Sequence, residues 1–60
     1  MPGAEYIVEF IQQGRYVKVT AVDPVTGTEA SIVGDARENP QILSRNAVKK
    51  LEYIMNKGNS

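Results

Sequence analysis

Apolar and polar side chains alternate along the first half of the chain, in the pattern typical of half-buried β-strands. Three segments with this alternation are rich in β-branched and aromatic residues, and turn-forming sequences separate them. In the last third of the chain the apolar spacing changes to three and four residues, which is typical of an amphipathic helix. The sequence therefore predicts strands at about residues 5–12, 15–23 and 28–34 and a helix at about residues 40–57.

The Gln13-Gly14 pair between the first two strands predicts a hairpin with a two-residue loop. This loop sets Glu9 opposite Lys18, so that opposite charges meet across the two strands. Cross-strand pairs of this kind contribute roughly 0.2–1 kcal/mol each. The predicted register is therefore a favourable one.

The second turn, residues 23–27, contains a proline that presets φ and a glycine that can take positive φ. Pairing Val22 with Glu29 after this turn brings Val19 opposite Ile32. The three strands then form an antiparallel meander in which alternate side chains point to opposite faces.

The helix is predicted to begin at Pro40, with Asn39 as its N-cap, because asparagine accepts hydrogen bonds from free helical N–H groups and proline fits the first helical position. The apolar stripe that follows predicts one buried helix face. Its members are Leu43, Ala47, Val48, Leu51, Ile54 and Met55.

The apolar face of the sheet and the apolar stripe of the helix each need cover, and the chain contains no other candidate for either. We therefore expect a single domain over residues 1–60 with an α+β fold, a three-stranded antiparallel meander packed on one face by a C-terminal helix. The centre of the core is expected to consist of Phe10, Val19, Ile32, Leu43, Leu51 and Ile54.

The other face of the sheet carries a grouped set of apolar side chains with nothing in the chain to cover them. Such a set predicts a partner surface, and the sheet edges offer a second route by strand addition. The alternative interpretation is a monomer whose sheet is solvated on this side. The candidate protein interface consists of Ile7, Ile11, Tyr16, Val22 and Val33.

The seven basic and seven acidic residues cancel, so the chain has no overall field that would concentrate nucleic acid. The order of elements, with a basic C-terminal helix, nevertheless resembles the C-terminal part of a double-stranded-RNA-binding domain. That resemblance implies weak nucleic-acid binding as an alternative function, although the basic cluster at the start of that family's last helix is missing. A solvated helix face is the other interpretation. The candidate phosphate contacts are Arg45, Lys49, Lys50 and Lys57.

Cysteine and histidine are both absent from the sequence. This removes disulfides, the best transition-metal ligands, the thiol nucleophile and the most common general base. Pro2 would become an N-terminal secondary amine after loss of Met1, as in the small tautomerases, but the predicted order of elements differs from theirs. We therefore expect no enzymatic activity, no cofactor and no metal site.

The location is predicted from two further features of the sequence. No apolar run approaches the roughly 20 residues that span a bilayer. Residues 1–5 lack the basic stretch and the apolar core of a signal peptide. A cytoplasmic protein without membrane contact is expected.

Four segments together resemble a small uncharacterised bacterial family of about this length: residues 5–10, 16–24, 26–35 and 47–53. The resemblance implies a free-standing bacterial protein with the β-β-β-α order, and it carries over no catalytic or binding residue. The leading expectation is therefore a non-enzymatic module for protein–protein interaction or self-association, with another protein or a second copy as its partner.

Overall fold

The computed structural model describes residues 5–58, so Pro2 lies outside the described residues. It contains the predicted three strands and one helix in an α+β arrangement. The strands form an open antiparallel sheet of order β1-β2-β3, and the helix packs on one face of it. The elements are β1 (Ile7–Gln13), β2 (Tyr16–Val22), β3 (Glu29–Asp35) and α1 (Pro40–Gly58).

The first hairpin turns one residue later than predicted. Its two loop residues are Gly14 and Arg15, and Gln13 pairs with Tyr16. Gly14 has a φ of 60°, whereas no residue other than glycine has positive φ among the described residues. A type II′ turn has positive φ at its first central position only, so the glycine must occupy that position rather than the second.

This later turn shifts the register by two residues and makes the predicted Glu9–Lys18 pair wrong. Glu9 lies opposite Thr20, and Lys18 lies opposite Ile11. Because a shift of two residues preserves the alternation, every side chain stays on the face that the sequence predicted.

The second hairpin has the predicted register, with Val22 opposite Glu29 and Val19 opposite Ile32. Buried Asp23 shapes its loop, because the carboxylate accepts hydrogen bonds from the Val25 N–H at 3.0 Å and the Thr26 hydroxyl at 3.2 Å. A carboxylate that bonds the backbone two residues further on is an Asx-turn, which fixes the loop locally.

The helix begins where the sequence predicts. Asn39 Oδ1 accepts a hydrogen bond from the Gln41 N–H at 2.9 Å, and Pro40 occupies the first helical position. The cap satisfies one of the N–H groups that have no partner inside the helix. Among residues 5–58, no helix combines the length and the apolar character needed to cross a membrane.

The core lies between α1 and the strands β2 and β3. Partly buried side chains, Ile32 among them, pack around it. Seven apolar residues are buried there: Val17, Val19, Ala21, Ala30, Leu43, Ala47 and Leu51.

For two residues, Phe10 and Ile54, the predicted place at the centre of the core is wrong. Phe10 is 45% exposed, because it lies on β1 while α1 packs mainly against β2 and β3. Ile54 is 38% exposed, because the buried face of α1 continues from Leu51 to partly buried Met55, four residues on, and Ile54 lies beside that face. Alternation along a strand predicts the face on which a side chain lies, but it does not predict which strands a single helix covers.

Candidate protein-interaction surface

The sheet face that points away from α1, here called the outer face, is an ordered grid of side chains. Each residue of β2 has one cross-strand neighbour on β1 and one on β3, and these neighbours lie within direct contact distance. From the end nearest the first turn, the four rows are Gln13–Tyr16–Asp35, Ile11–Lys18–Val33, Glu9–Thr20–Ser31 and Ile7–Val22–Glu29.

Three of the five predicted interface residues surround Lys18. Ile11 and Val33 lie directly opposite it on the two neighbouring strands, and Tyr16 lies on β2 in the adjoining row. The side chains of Tyr16 and Val33 are 65% and 68% exposed. Together with Gln13 these residues line a shallow depression of about 290 Å³. We call the group of Ile11, Tyr16, Lys18 and Val33 the Lys18 patch.

The other two predicted interface residues lie at the far end of the same face. Ile7 is exposed and lies opposite half-buried Val22. A polar row separates this pair from the Lys18 patch, and in that row the hydroxyls of Thr20 and Ser31 are hydrogen-bonded at 2.8 Å. The five predicted residues therefore share one face but do not form one continuous apolar surface.

Lys18 has no carboxylate partner in the part of the chain that the structure describes. Its two direct neighbours are aliphatic, and no carboxylate oxygen among residues 5–58 lies within ion-pair distance of its ammonium group. The ammonium group therefore has an apolar neighbour on each adjacent strand, and the ion pair with Glu9 that the predicted register required is not formed.

Asp35, at the margin of the patch, is already neutralised by Arg37. The guanidinium Nε and Nη2 donate to the two carboxylate oxygens at 3.2 and 3.1 Å, and the Arg37 N–H donates at 2.8 Å. These hydrogen bonds, first from the side chain and then from the backbone, lower the pKa of Asp35. The carboxylate is thus held at the end of β3 by Arg37, and Lys18 has no ion-pair partner among residues 5–58.

The basic residues of α1 do not form one cluster. Arg45 and Lys49 are four residues apart and exposed on one side of the helix. On another side, Lys50 Nζ donates to the Ser31 carbonyl at 2.8 Å, and Lys57 Nζ lies 5.7 Å from the centre of the Tyr53 ring. The predicted phosphate contacts are therefore divided into two pairs, and two of the four cations already contact the protein.

Sequence reasoning identified the outer face but missed Lys18 as the centre of its patch. The signal that it missed is the glycine of the first turn. A type II′ loop needs glycine at its first central position, and applying that rule to Gln13-Gly14-Arg15 places Lys18 between Ile11 and Val33.

The fold and this surface define a small α+β protein with one face of an open sheet exposed. The chain belongs to the family described as a domain of unknown function (DUF6898), which matches residues 3–58. This confirms the resemblance to an uncharacterised family seen in the sequence, whereas the bacterial origin stays a prediction. No curated protein and no solved structure showed significant similarity to the chain.

Proposed function

We propose that this protein is a non-enzymatic interaction module that binds another protein through the Lys18 patch. The observation that carries the proposal is that Lys18, on the central strand of the sheet, has no carboxylate partner among residues 5–58 and lies beside three exposed apolar side chains, Ile11, Tyr16 and Val33. A bacterial origin and a cytoplasmic location are part of this proposal, as expected from the sequence.

The chemistry of the patch defines the partner. Covering Ile11, Tyr16 and Val33 removes apolar surface from water, which favours binding by about 25 cal/mol per Å² of buried apolar area. The same cover would desolvate the ammonium group of Lys18, which is costly unless a carboxylate pairs with it. The partner segment is therefore an acidic residue flanked by apolar ones.

The position of the patch also favours binding. Lys18 and Tyr16 lie on β2, which is hydrogen-bonded on both sides, so their backbone is already ordered before a partner arrives. A preorganised surface loses less conformational entropy on association than a loop does. The patch thus combines a rigid base with apolar side chains and one charge that can select a partner.

The proposal is tested by capturing partners from lysate with the tagged protein and with three variants. Tyr16→Asp and Lys18→Glu are expected to lose a polypeptide that the wild type retains. Ile7→Asp is the control matched to Tyr16→Asp, since it adds the same single negative charge to the same face beyond the polar row, and it is expected to keep that polypeptide. Retention by all variants, or loss with Ile7→Asp as well, would contradict a site centred on Lys18.

A fourth variant, with Arg45→Glu and Lys49→Glu combined, addresses the nucleic-acid alternative. It is expected to behave as the wild type does. If this variant alone changes what is retained, and nuclease treatment of the lysate has the same effect, the helix cations carry the function and the proposal is wrong.

A further inference from the structure

The two edges of the sheet differ in what contacts their backbone. At the β3 edge, Lys50 Nζ donates to the Ser31 carbonyl at 2.8 Å. The Glu38 carboxylate accepts a hydrogen bond from the Asp35 N–H at 2.9 Å on the same edge. A helix cation and a loop carboxylate therefore occupy two of the groups to which an additional strand would bond.

At the β1 edge, no hydrogen bond from residues 5–58 occupies the backbone groups that point outward. The Ala36 N–H donates to the Arg15 carbonyl, and these two residues directly continue the pairing of β3 with β2. Because hydrogen-bonded pairs alternate along an antiparallel ladder, the odd-numbered residues of β2 bond to β3. Even-numbered residues of β2 must then bond to odd-numbered residues of β1, because each residue of an antiparallel strand bonds to one side only. The backbone groups of Val8 and Phe10 consequently point away from the sheet, and no side chain of residues 5–58 is bonded to them.

The side chains of these β1 residues lie on the inner face, the sheet face on which α1 packs, and α1 leaves this part of it partly uncovered. Phe10 is 45% exposed although it faces the side of the helix, and Val8 and Tyr6 are only partly buried. A strand added at this edge would pair with the backbone of Val8 and Phe10 and would cover their side chains at the same time. We propose that the added strand is β1 of a second copy, antiparallel to the first about a two-fold axis.

The residues of β1 complement one another in this arrangement. With Val8 opposite Val8 of the second copy, Tyr6 lies opposite Phe10, and the two-fold axis generates this aromatic pair twice. On the outer face the same register sets Glu9 opposite Ile7. The next register, with Val8 opposite Phe10, would place the two Glu9 side chains opposite each other, so charge repulsion disfavours it.

Two features of the charges are compatible with a second copy as the occupant. The formal net charge of the chain is zero, so two copies meet without overall repulsion. Residues 5–13 contain neither lysine nor proline, which natural edge strands often use against pairing, and their only charged residues are Glu5 and Glu9. The dimer has a six-stranded sheet with both helices on one face, and both Lys18 patches remain open because Lys18 lies on β2.

Sedimentation equilibrium of the full chain, over a wide range of concentrations, tests the proposal with two matched proline variants. Val8→Pro removes an edge N–H of β1, and Val33→Pro removes one from the β3 edge. We expect a monomer–dimer equilibrium that Val8→Pro weakens by about tenfold or more, since two hydrogen bonds are lost per dimer. Val33→Pro should leave it unchanged. A monomeric wild type, or a dimer that Val8→Pro leaves intact, overturns the proposal.

A single-cysteine experiment decides the matter if a proline variant does not fold. The chain contains no cysteine, so Val8→Cys introduces one thiol at the two-fold axis. The two Val8 residues would form a hydrogen-bonded pair, whose Cα atoms lie about 5.5 Å apart in an antiparallel sheet, within the range of a disulfide. Val8→Cys is expected to form a disulfide dimer about tenfold or more faster than Val33→Cys on mild oxidation. Equal rates, or a faster Val33→Cys, overturn the proposal.

Discussion

β1 and β3 are both edge strands of seven residues, and both pair with β2 along their whole length, yet the rest of the chain contacts them very differently. α1 packs on β3, and Lys50 and Glu38 bond to its outer backbone. A helix about 10 Å wide covers about two strands spaced about 4.8 Å apart, so one helix leaves one strand of a three-stranded sheet uncovered. The covered pair, β2 and β3, therefore provides the core, while β1 provides surface.

The largest expected effect comes from truncating the core beneath α1. Leu51 is fully buried against the sheet. Leu51→Ala is expected to lower the free energy of unfolding by about 2–5 kcal/mol, because it leaves a cavity. Phe10→Ala, which truncates a larger side chain on uncovered β1, should cost only about 1 kcal/mol. Urea unfolding at low protein concentration measures the free energy of unfolding of both variants. An equal decrease for the two would mean that the core extends to β1.

A second comparison uses two residues of one row on the inner face, where Gly34 of β3 and Gln12 of β1 flank Val17. A Cβ atom on Gly34 would lie 2.6 Å from Leu43 Cδ2. Gly34→Ala is therefore expected to destabilise the fold by about 1–3 kcal/mol through overpacking. Gln12→Ala should change the stability by less than about 0.5 kcal/mol. Thermal unfolding of both variants provides the test, and a neutral Gly34→Ala would show that α1 does not pack tightly on β3.

A smaller effect on stability is expected from removing the Lys50 hydrogen bond at the β3 edge. Lys50→Met removes the hydrogen bond to the Ser31 carbonyl and should lower the free energy of unfolding by roughly 0.5 kcal/mol, since the bond is exposed to solvent. Lys49→Met, its neighbour without such a bond, is the control and should have no measurable effect. Chemical unfolding in low salt is the appropriate measurement. An equal change in the free energy of unfolding for both variants would argue that Lys50 does not bond to the β3 edge.

The smallest effects concern pH and have opposite signs at the two edge strands. Asp35, at the end of β3, has a pKa lowered by Arg37 from its ordinary value of 3.8, so its contribution is present above that pH and is lost as the pH falls through the lower folded value. Tyr6, just before β1, has a pKa raised from 10.0 by burial and then by Glu52 and Asp23, so its contribution is lost as the pH rises through the alkaline range.

Urea midpoints measured across the pH range test both signs. Asp35→Asn should flatten the acid limb of the profile, and Tyr6→Phe should flatten the alkaline limb. A variant that alters the opposite limb would contradict the assignment of that group.

Much of the fold was predictable because local signals agreed with one another. At three places the local sequence favours a single backbone conformation. These are the Asn39 cap, the apolar stripe from Leu43 to Leu51 and the turn at residues 23–27. The first hairpin was mispredicted because Gln13-Gly14 and Gly14-Arg15 are both possible two-residue loops. Only the sign of φ at the first central residue distinguishes them.

The sequence predicted that the candidate site lies on the outer face of the sheet, but it did not predict which residues of that face form the Lys18 patch. Alternation places Ile7 and Tyr16 on the outer face in either register, because a shift of two residues preserves parity. The neighbour of Lys18 on β1 depends on the register itself, so predicting the wrong two-residue loop placed Glu9 instead of Ile11 opposite it. Phe10 was misplaced for a related reason, since parity carries no information about which strands the helix covers.

Residue-resolved amide hydrogen exchange, measured at several protein concentrations, tests the difference between the two edges most directly. We expect the amides of Val8 and Phe10 to exchange more slowly as the concentration rises, while those of Ser31 and Val33 on the other edge keep the same rate. Exchange that is independent of concentration at all four amides, or slowing at Ser31 and Val33, would contradict it.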